Sequence, residues 1–176
     1  MTERSFSHLD DQGRARMVDV SAKPITRRVA EASCRVLLER ETVERLAELP
    51  KGDARVVAQL AGVYAAKRTG ELIPLAHPLP LDQVDVDVEP FLADATGRSG
   101  VVVRSRVVAT ARTGAEMEAL TACALAALAL YDMVKALDRA ATITDLRLEA
   151  KSGGRSGDFR RANAERAGGP DPDAGG

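Results

Sequence analysis

Glu116 and Glu118 open, and Asp132 and Lys135 close, a stretch whose middle carries no charge: TGAEMEALTACALAALALYDMVKALD, residues 113–138. Carboxylates and amines are the side chains of general acid–base chemistry. Asp132 and Lys135 stand one helical turn apart and can touch, as members of a proton-sharing pair or of an ordinary surface ion pair. The apolar run from Ala119 to Tyr131 reads as a buried helix. In an unbroken helix Glu118 and Asp132 lie roughly 21 Å apart and near one stripe. One small molecule cannot bridge that distance on a single helix. Two antiparallel copies, however, would set the start of one beside the end of the other. The plainer alternative is that both ends simply reach solvent.

Other residues with chemical potential are scattered. His77 lies in LIPLAHPLP, where Pro74, Pro78 and Pro80 stiffen the loop and fix the imidazole; it suits a ligand contact or an ordinary loop position. The other histidine, His8, belongs to a polar arm. AKSGGRSGDF (150–159) sets Lys151 and Arg155 among glycines and serines. That is either a phosphate cradle or a basic linker, and it lacks the spacing of a P-loop. Lys67 and Arg68 stand at a helix end, where the helix dipole also favours cations. Asp19 and Lys23 of MVDVSAK, and Lys51 between Pro50 and Gly52, receive no role from their neighbours alone.

The elements that must hold these residues follow from periodicity. Arg27–Glu39 reads as a strand, 40–49 as a helix stopped by Pro50, and Ala54–Lys67 as a helix capped by Asp53. GELIPLAHPLP reads as a loop. In QVDVDVEPFL (83–92) Val84, Val86 and Val88 face inward, while Asp85, Asp87 and Glu89 face water. With 101–112 it makes a β-hairpin, and the long helix and a last strand (142–151) complete the order β-α-α-β-β-α-β. This predicts a ferredoxin-like α+β sandwich, an antiparallel sheet with helices on one face. Residues 1–25 form an extended arm, 26–160 a single domain, and 161–176 a disordered tail.

Composition removes several function classes. The chain has 176 residues, 45% of them apolar, with a formal charge of −1, so no global field attracts nucleic acid or anionic membrane. Five aromatic residues, none of them Trp, are few for base stacking, and the exposed face of 83–92 is acidic, against RNA binding. Cys34 and Cys123 lack metal-ligand spacing and read as two buried thiols, with a structural disulfide as the alternative. No metal site is expected. The apolar run is too short to span a bilayer, and the polar N-terminus lacks a leader, which points to the cytoplasm.

Taken in order, MVDVSAK, KGD, AAKRT, LIPLAHPL, TGAEMEALTA, YDMVKA and KSGGRSGDF resemble the MoaC family, the cyclic pyranopterin monophosphate synthases of molybdenum cofactor biosynthesis. The resemblance runs from about Ser7 to Phe159; Gly70 and Ala76 stand where the family pattern has a larger residue and a Cys. It implies a pyrophosphate-releasing lyase acting on (8S)-3',8-cyclo-7,8-dihydroguanosine 5'-triphosphate. It also implies a ferredoxin-like fold and a homohexamer, a trimer of dimers, with sites at the dimer interface. By this likeness Asp132, Lys135 and Lys51 are catalytic. Leu75, Ala76, His77, Met117 and Glu118 resemble substrate-binding segments. Glu116, Asp19 and Lys67 resemble further pocket residues, and Lys151 and Arg155 a phosphate-receiving loop. No cofactor is implied beyond a Mg²⁺ carried by the triphosphate. A non-catalytic pterin- or purine-nucleotide binder on the same scaffold is the alternative.

Overall fold

A computed structural model describes residues 12–154 and 157–162. The alternation read in the first strand is carried through to burial. In β1 (Thr26–Leu38) Arg28, Ala30, Ala32, Cys34, Val36 and Leu38 are buried, and the intervening residues are half-exposed. β3 (Ser99–Ala111) turns Val101, Val103, Ser105 and Val107 the same way. A period of two therefore gives the sheet one dry face. In β2 (Leu81–Phe91) Val86 and Val88 are buried and Val84 partly so, while Asp85, Asp87 and Glu89 are exposed. Glu89 does not simply face water, because Arg104 of β3 pairs with it.

With β4 (Thr142–Ser152) and the two-residue β5 (Phe159–Arg160), the sheet order is β2-β3-β1-β4-β5. Every neighbouring pair is antiparallel. β1 and β2 consequently run parallel to each other with β3 inserted between them. The architecture is α+β.

The dry face is covered by α2 (Ala54–Ala66) and α4 (Glu116–Val134), which pack on each other and on the sheet. Asp53 caps α2 as expected, its carboxylate accepting the Arg55 backbone N–H at 2.9 Å. The two helices approach closely because the contact residues are small. A Cβ on Gly62 would lie 3.0 Å from the Ala122 carbonyl oxygen. The Ser105 hydroxyl donates to the Ala119 carbonyl at 2.7 Å, fastening α4 to β3. α4 has the length and composition of a membrane span, yet half of it is buried inside the domain. Its uncharged middle is core against the sheet and α2. Cys34 and Cys123 are free, buried thiols in this core.

Three local expectations are corrected. The helix expected over 40–49 is only α1 (Arg40–Glu44); the chain then turns, with Leu46 and Leu49 still buried. So few residues supply few helical hydrogen bonds, and burial of Leu46 and Leu49 fixes the turn instead. Within the expected loop lies α3 (Thr69–Leu72), anchored by the Thr69 hydroxyl donating to the Ala65 carbonyl. Gly70 makes room there, since a Cβ would lie 3.0 Å from Pro78 Cα. β5 was not expected, and next to it Arg161 N–H donates to the Glu149 carbonyl at 2.8 Å. Residues 1–11 of the expected arm and 163–176 of the expected tail lie outside the described residues.

Candidate active site

α2 runs antiparallel to α4: Lys51, ahead of α2, reaches the end of α4, while Gly62 crosses at Ala122. Asp132 occupies the last turn of α4 and Lys135 is its C-cap. Lys135 Nζ lies 2.6 Å from Asp132 Oδ1, and Lys51 Nζ lies 3.8 Å from Oδ2. One carboxylate is thus flanked by two ammonium groups from separate segments. The hydrogen bond and charge of Lys135, then the charge of Lys51, hold Asp132 below the ordinary carboxylate range. Asp132 in turn raises Lys135. At neutral pH the cluster offers a proton-accepting carboxylate and proton-donating ammonium groups side by side. It is open to solvent, with the Asp132 side chain 58% exposed.

The other end of α4 is built differently. Glu116 Oε1 pairs with Lys151 Nζ from the end of β4 at 3.1 Å, both side chains mostly covered. Gly114 permits this, because a Cβ there would lie 1.8 Å from Glu116 Oε2. Met117 is exposed, whereas Glu118 is only 3% exposed. Burial, with the charge of Glu116 adding to it, pushes the Glu118 carboxyl up to about 7. A carboxyl poised there can give or take a proton at neutral pH.

His77, with Leu75 and Ala76, sits half-buried in the segment leaving α3, where Ala76 N–H donates to the Ile73 carbonyl at 3.0 Å. Asp19 is near enough to His77 to feel its charge. Its carboxyl is held low chiefly by the Ser21 backbone N–H, 2.8 Å from Oδ1. Lys67 is the exposed C-cap of α2, at the opposite end of that helix from Lys51. Arg155 lies outside the described residues.

α4 is continuous, so the Asp132 cluster and Glu118 are about 21 Å apart along its axis. One chain therefore presents two groups of candidate residues, not one. Among the described residues, two cavities of about 330 Å³ lie away from these groups, neither lined by Asp132, Lys51, Lys135, His77 or Glu118. The second, beside β5, includes Lys151 with Glu31, Asp158 and Phe159. Among the described residues no group of three or more His, Cys, Asp or Glu side chains is placed to hold a metal ion.

Sequence reading passed over Arg28. It is 7% exposed, and its guanidinium donates to the carbonyls of Ala111, Arg112 and Gly153. The available signal was parity: position 28 shares the inward face with Ala30, Ala32 and Cys34.

Residues 17–154 match the MoaC family. The chain is 53% identical over 162 residues to cyclic pyranopterin monophosphate synthase 3 of Mycobacterium bovis, covering 91% of this chain and 89% of the relative. It is 51% identical over 172 residues to the cyclic pyranopterin monophosphate synthase of Streptomyces griseus, covering 97% and 92%. With that of Thermomicrobium roseum the identity is 53%, covering 91% and 95%. A family match over most of the chain, with relatives about half identical along nearly their whole length, places this chain in the MoaC family.

Proposed function

We propose that this protein is a cyclic pyranopterin monophosphate synthase, a lyase of molybdenum cofactor biosynthesis. It converts (8S)-3',8-cyclo-7,8-dihydroguanosine 5'-triphosphate to cyclic pyranopterin monophosphate and pyrophosphate. The observation that carries this reading is the Asp132 carboxylate between Lys135 and Lys51, in a chain about half identical to relatives of that name. The rearrangement opens an aminal, closes a pyran and forms a cyclic phosphate, so several protons move. Paired carboxylates and lysines suit that work. The substrate carries about four negative charges, which Lys51, Lys67, Lys135, Lys151 and Arg155 meet locally while the whole chain stays near neutrality.

The site is shared between two copies of the chain. Glu118 and Asp132 cannot both reach one small molecule from one helix, and a two-fold axis would bring the end of one α4 beside the start of another. We extend this to a homohexamer, a trimer of dimers, in the cytoplasm. The fold is ferredoxin-like, a reading supported by β3 lying between parallel β1 and β2, with β4 on the other side of β1. Any Mg²⁺ enters with the triphosphate.

The test incubates the protein with freshly prepared cyclic dihydroguanosine triphosphate and measures pyrophosphate and oxidised pterin. Both appear with the wild type and are lost in Asp132→Asn; a folded oligomer releasing neither overturns the function. Mixing Asp132→Asn with Lys151→Ala, whose turnover is reduced but still measurable, tests the sharing. Random exchange restores about a quarter of the sites if each is built from both chains. No recovery, with exchange of subunits verified, refutes a shared site.

A further inference from the structure

A buried guanidinium is costly unless its N–H groups are matched. Among the described residues Arg28 meets that need with backbone: Nε donates to the Ala111 carbonyl at 3.4 Å, Nη2 to Arg112 at 3.3 Å and Nη1 to Gly153 at 3.2 Å. Among the described residues no carboxylate lies within ion-pair distance of it. Its acceptors come from two stretches far apart in sequence. Ala111 ends β3, and Arg112 leads on through Gly114 into Glu116; Gly153 follows directly after Lys151 and Ser152. The glycine turn is moulded on the guanidinium. Gly154 has φ +86°, and a Cβ there would lie 1.4 Å from Arg28 Nη1.

The two stretches that Arg28 joins carry the two members of one ion pair, Glu116 and Lys151. We propose that Arg28 is a positioning residue, clamping the end of β3 to the Gly153–Gly154 turn so that Lys151 and Glu116 present one fixed arrangement to the substrate. This rests on the synthase reading for Lys151 and goes beyond it, since Arg28 acts through its neighbours rather than on substrate. Only arginine fits the task. Its planar fork reaches three carbonyls at once, whereas a lysine ammonium is a compact point charge on a flexible stem. A one-ångström misplacement of a binding group is enough to slow an enzyme greatly.

The experiment compares wild type, Arg28→Lys, Lys151→Ala and the double variant, with circular dichroism and light scattering confirming fold and assembly. Arg28→Lys lowers kcat/KM for pyrophosphate release by about 10-fold or more in the wild-type background, and by less than about twofold when Lys151 is already Ala. Equal losses in the two backgrounds, or no loss in the first, overturn the proposal. Hydrogen exchange gives an arm independent of turnover. Amides of 111–118 and 150–154 exchange faster in Arg28→Lys while those of α2 and β2 do not change; unchanged protection at both stretches refutes the clamp. A wild type that releases no pyrophosphate defeats the synthase reading, and exchange still decides whether the clamp exists.

Discussion

Replacing Glu118 by Gln isolates the ionisation of one buried group. Glu118 lies in the first turn of α4, 3% exposed, and burial raises its carboxyl from 4.5 to about 7. Between those values the unfolded chain has released this proton and the folded chain still holds it. The folded state binds more protons, so stability falls as pH rises through the interval. The gap is worth about 3 kcal/mol of stability, fully present below the unfolded value and lost by about pH 8. Gln keeps the shape and cannot ionise, so its stability curve is flatter by that amount. The buried amide brings a cost of its own, which displaces the whole curve without tilting it.

Urea unfolding from about pH 4 to about pH 8 at one protein concentration reads the slope, since assembly adds a concentration-dependent contribution. In thermal unfolding the difference is about 6–12 °C for a chain of this size. Parallel curves for wild type and variant refute the reasoning. They would mean that Glu118 ionises as freely folded as unfolded, or that a cation from a second copy neutralises it.

Asp132→Asn keeps its fold, because the side chain is mostly exposed, and loses about 10²- to 10⁴-fold in kcat, measured by pyrophosphate release. Because Lys135 and Lys51 hold the Asp132 carboxyl low, the wild-type rate keeps its carboxylate base down through the ordinary carboxylate range; Lys135→Ala moves the acid limb of the pH–rate profile upward. Gly154→Ala forces a side chain into a left-handed backbone against Arg28, lowering stability by at least about 1 kcal/mol in urea unfolding and reducing turnover with it.

What the sequence made legible was whatever depends on near neighbours. The two-residue period of β1, β2 and β3, the Asp53 cap and the Asp132–Lys135 contact all follow from spacings of four residues or fewer. The failures have the same origin. Lys51 was silent in its own turn because its partner comes from the far end of α4. Glu118 looked like part of a charged helix end, yet four residues on lies Ala122 and four beyond that Ala126, both fully buried. Its face was inward, and only charge suggested otherwise. α3 escaped notice because a four-residue helix has no periodicity to read, and its anchor is a single threonine hydroxyl. Roles for Asp19 and Lys67 came from family likeness alone, whereas the prolines around His77 left a ligand contact and an ordinary loop position both open.

The two ends of α4 differ in the property that governs acid–base chemistry, namely exposure to water. Glu118 is already desolvated in one chain, and its carboxyl is already shifted. Asp132 stands in water, where its attraction to Lys51 and Lys135 is strongly screened. A partner placed over the Asp132 end would lower the local dielectric and strengthen both ion pairs without moving an atom of this chain. Assembly should therefore change the Asp132 end far more than the Glu118 end. On dilution to dissociation, the acid limb of the rate profile is lost together with activity, whereas the pH-dependent stability attributed to Glu118 persists in the separated chains. A monomer that retains turnover, measured by pyrophosphate release and light scattering on the same samples, would place all the chemistry at one end of the helix and leave the other to structure.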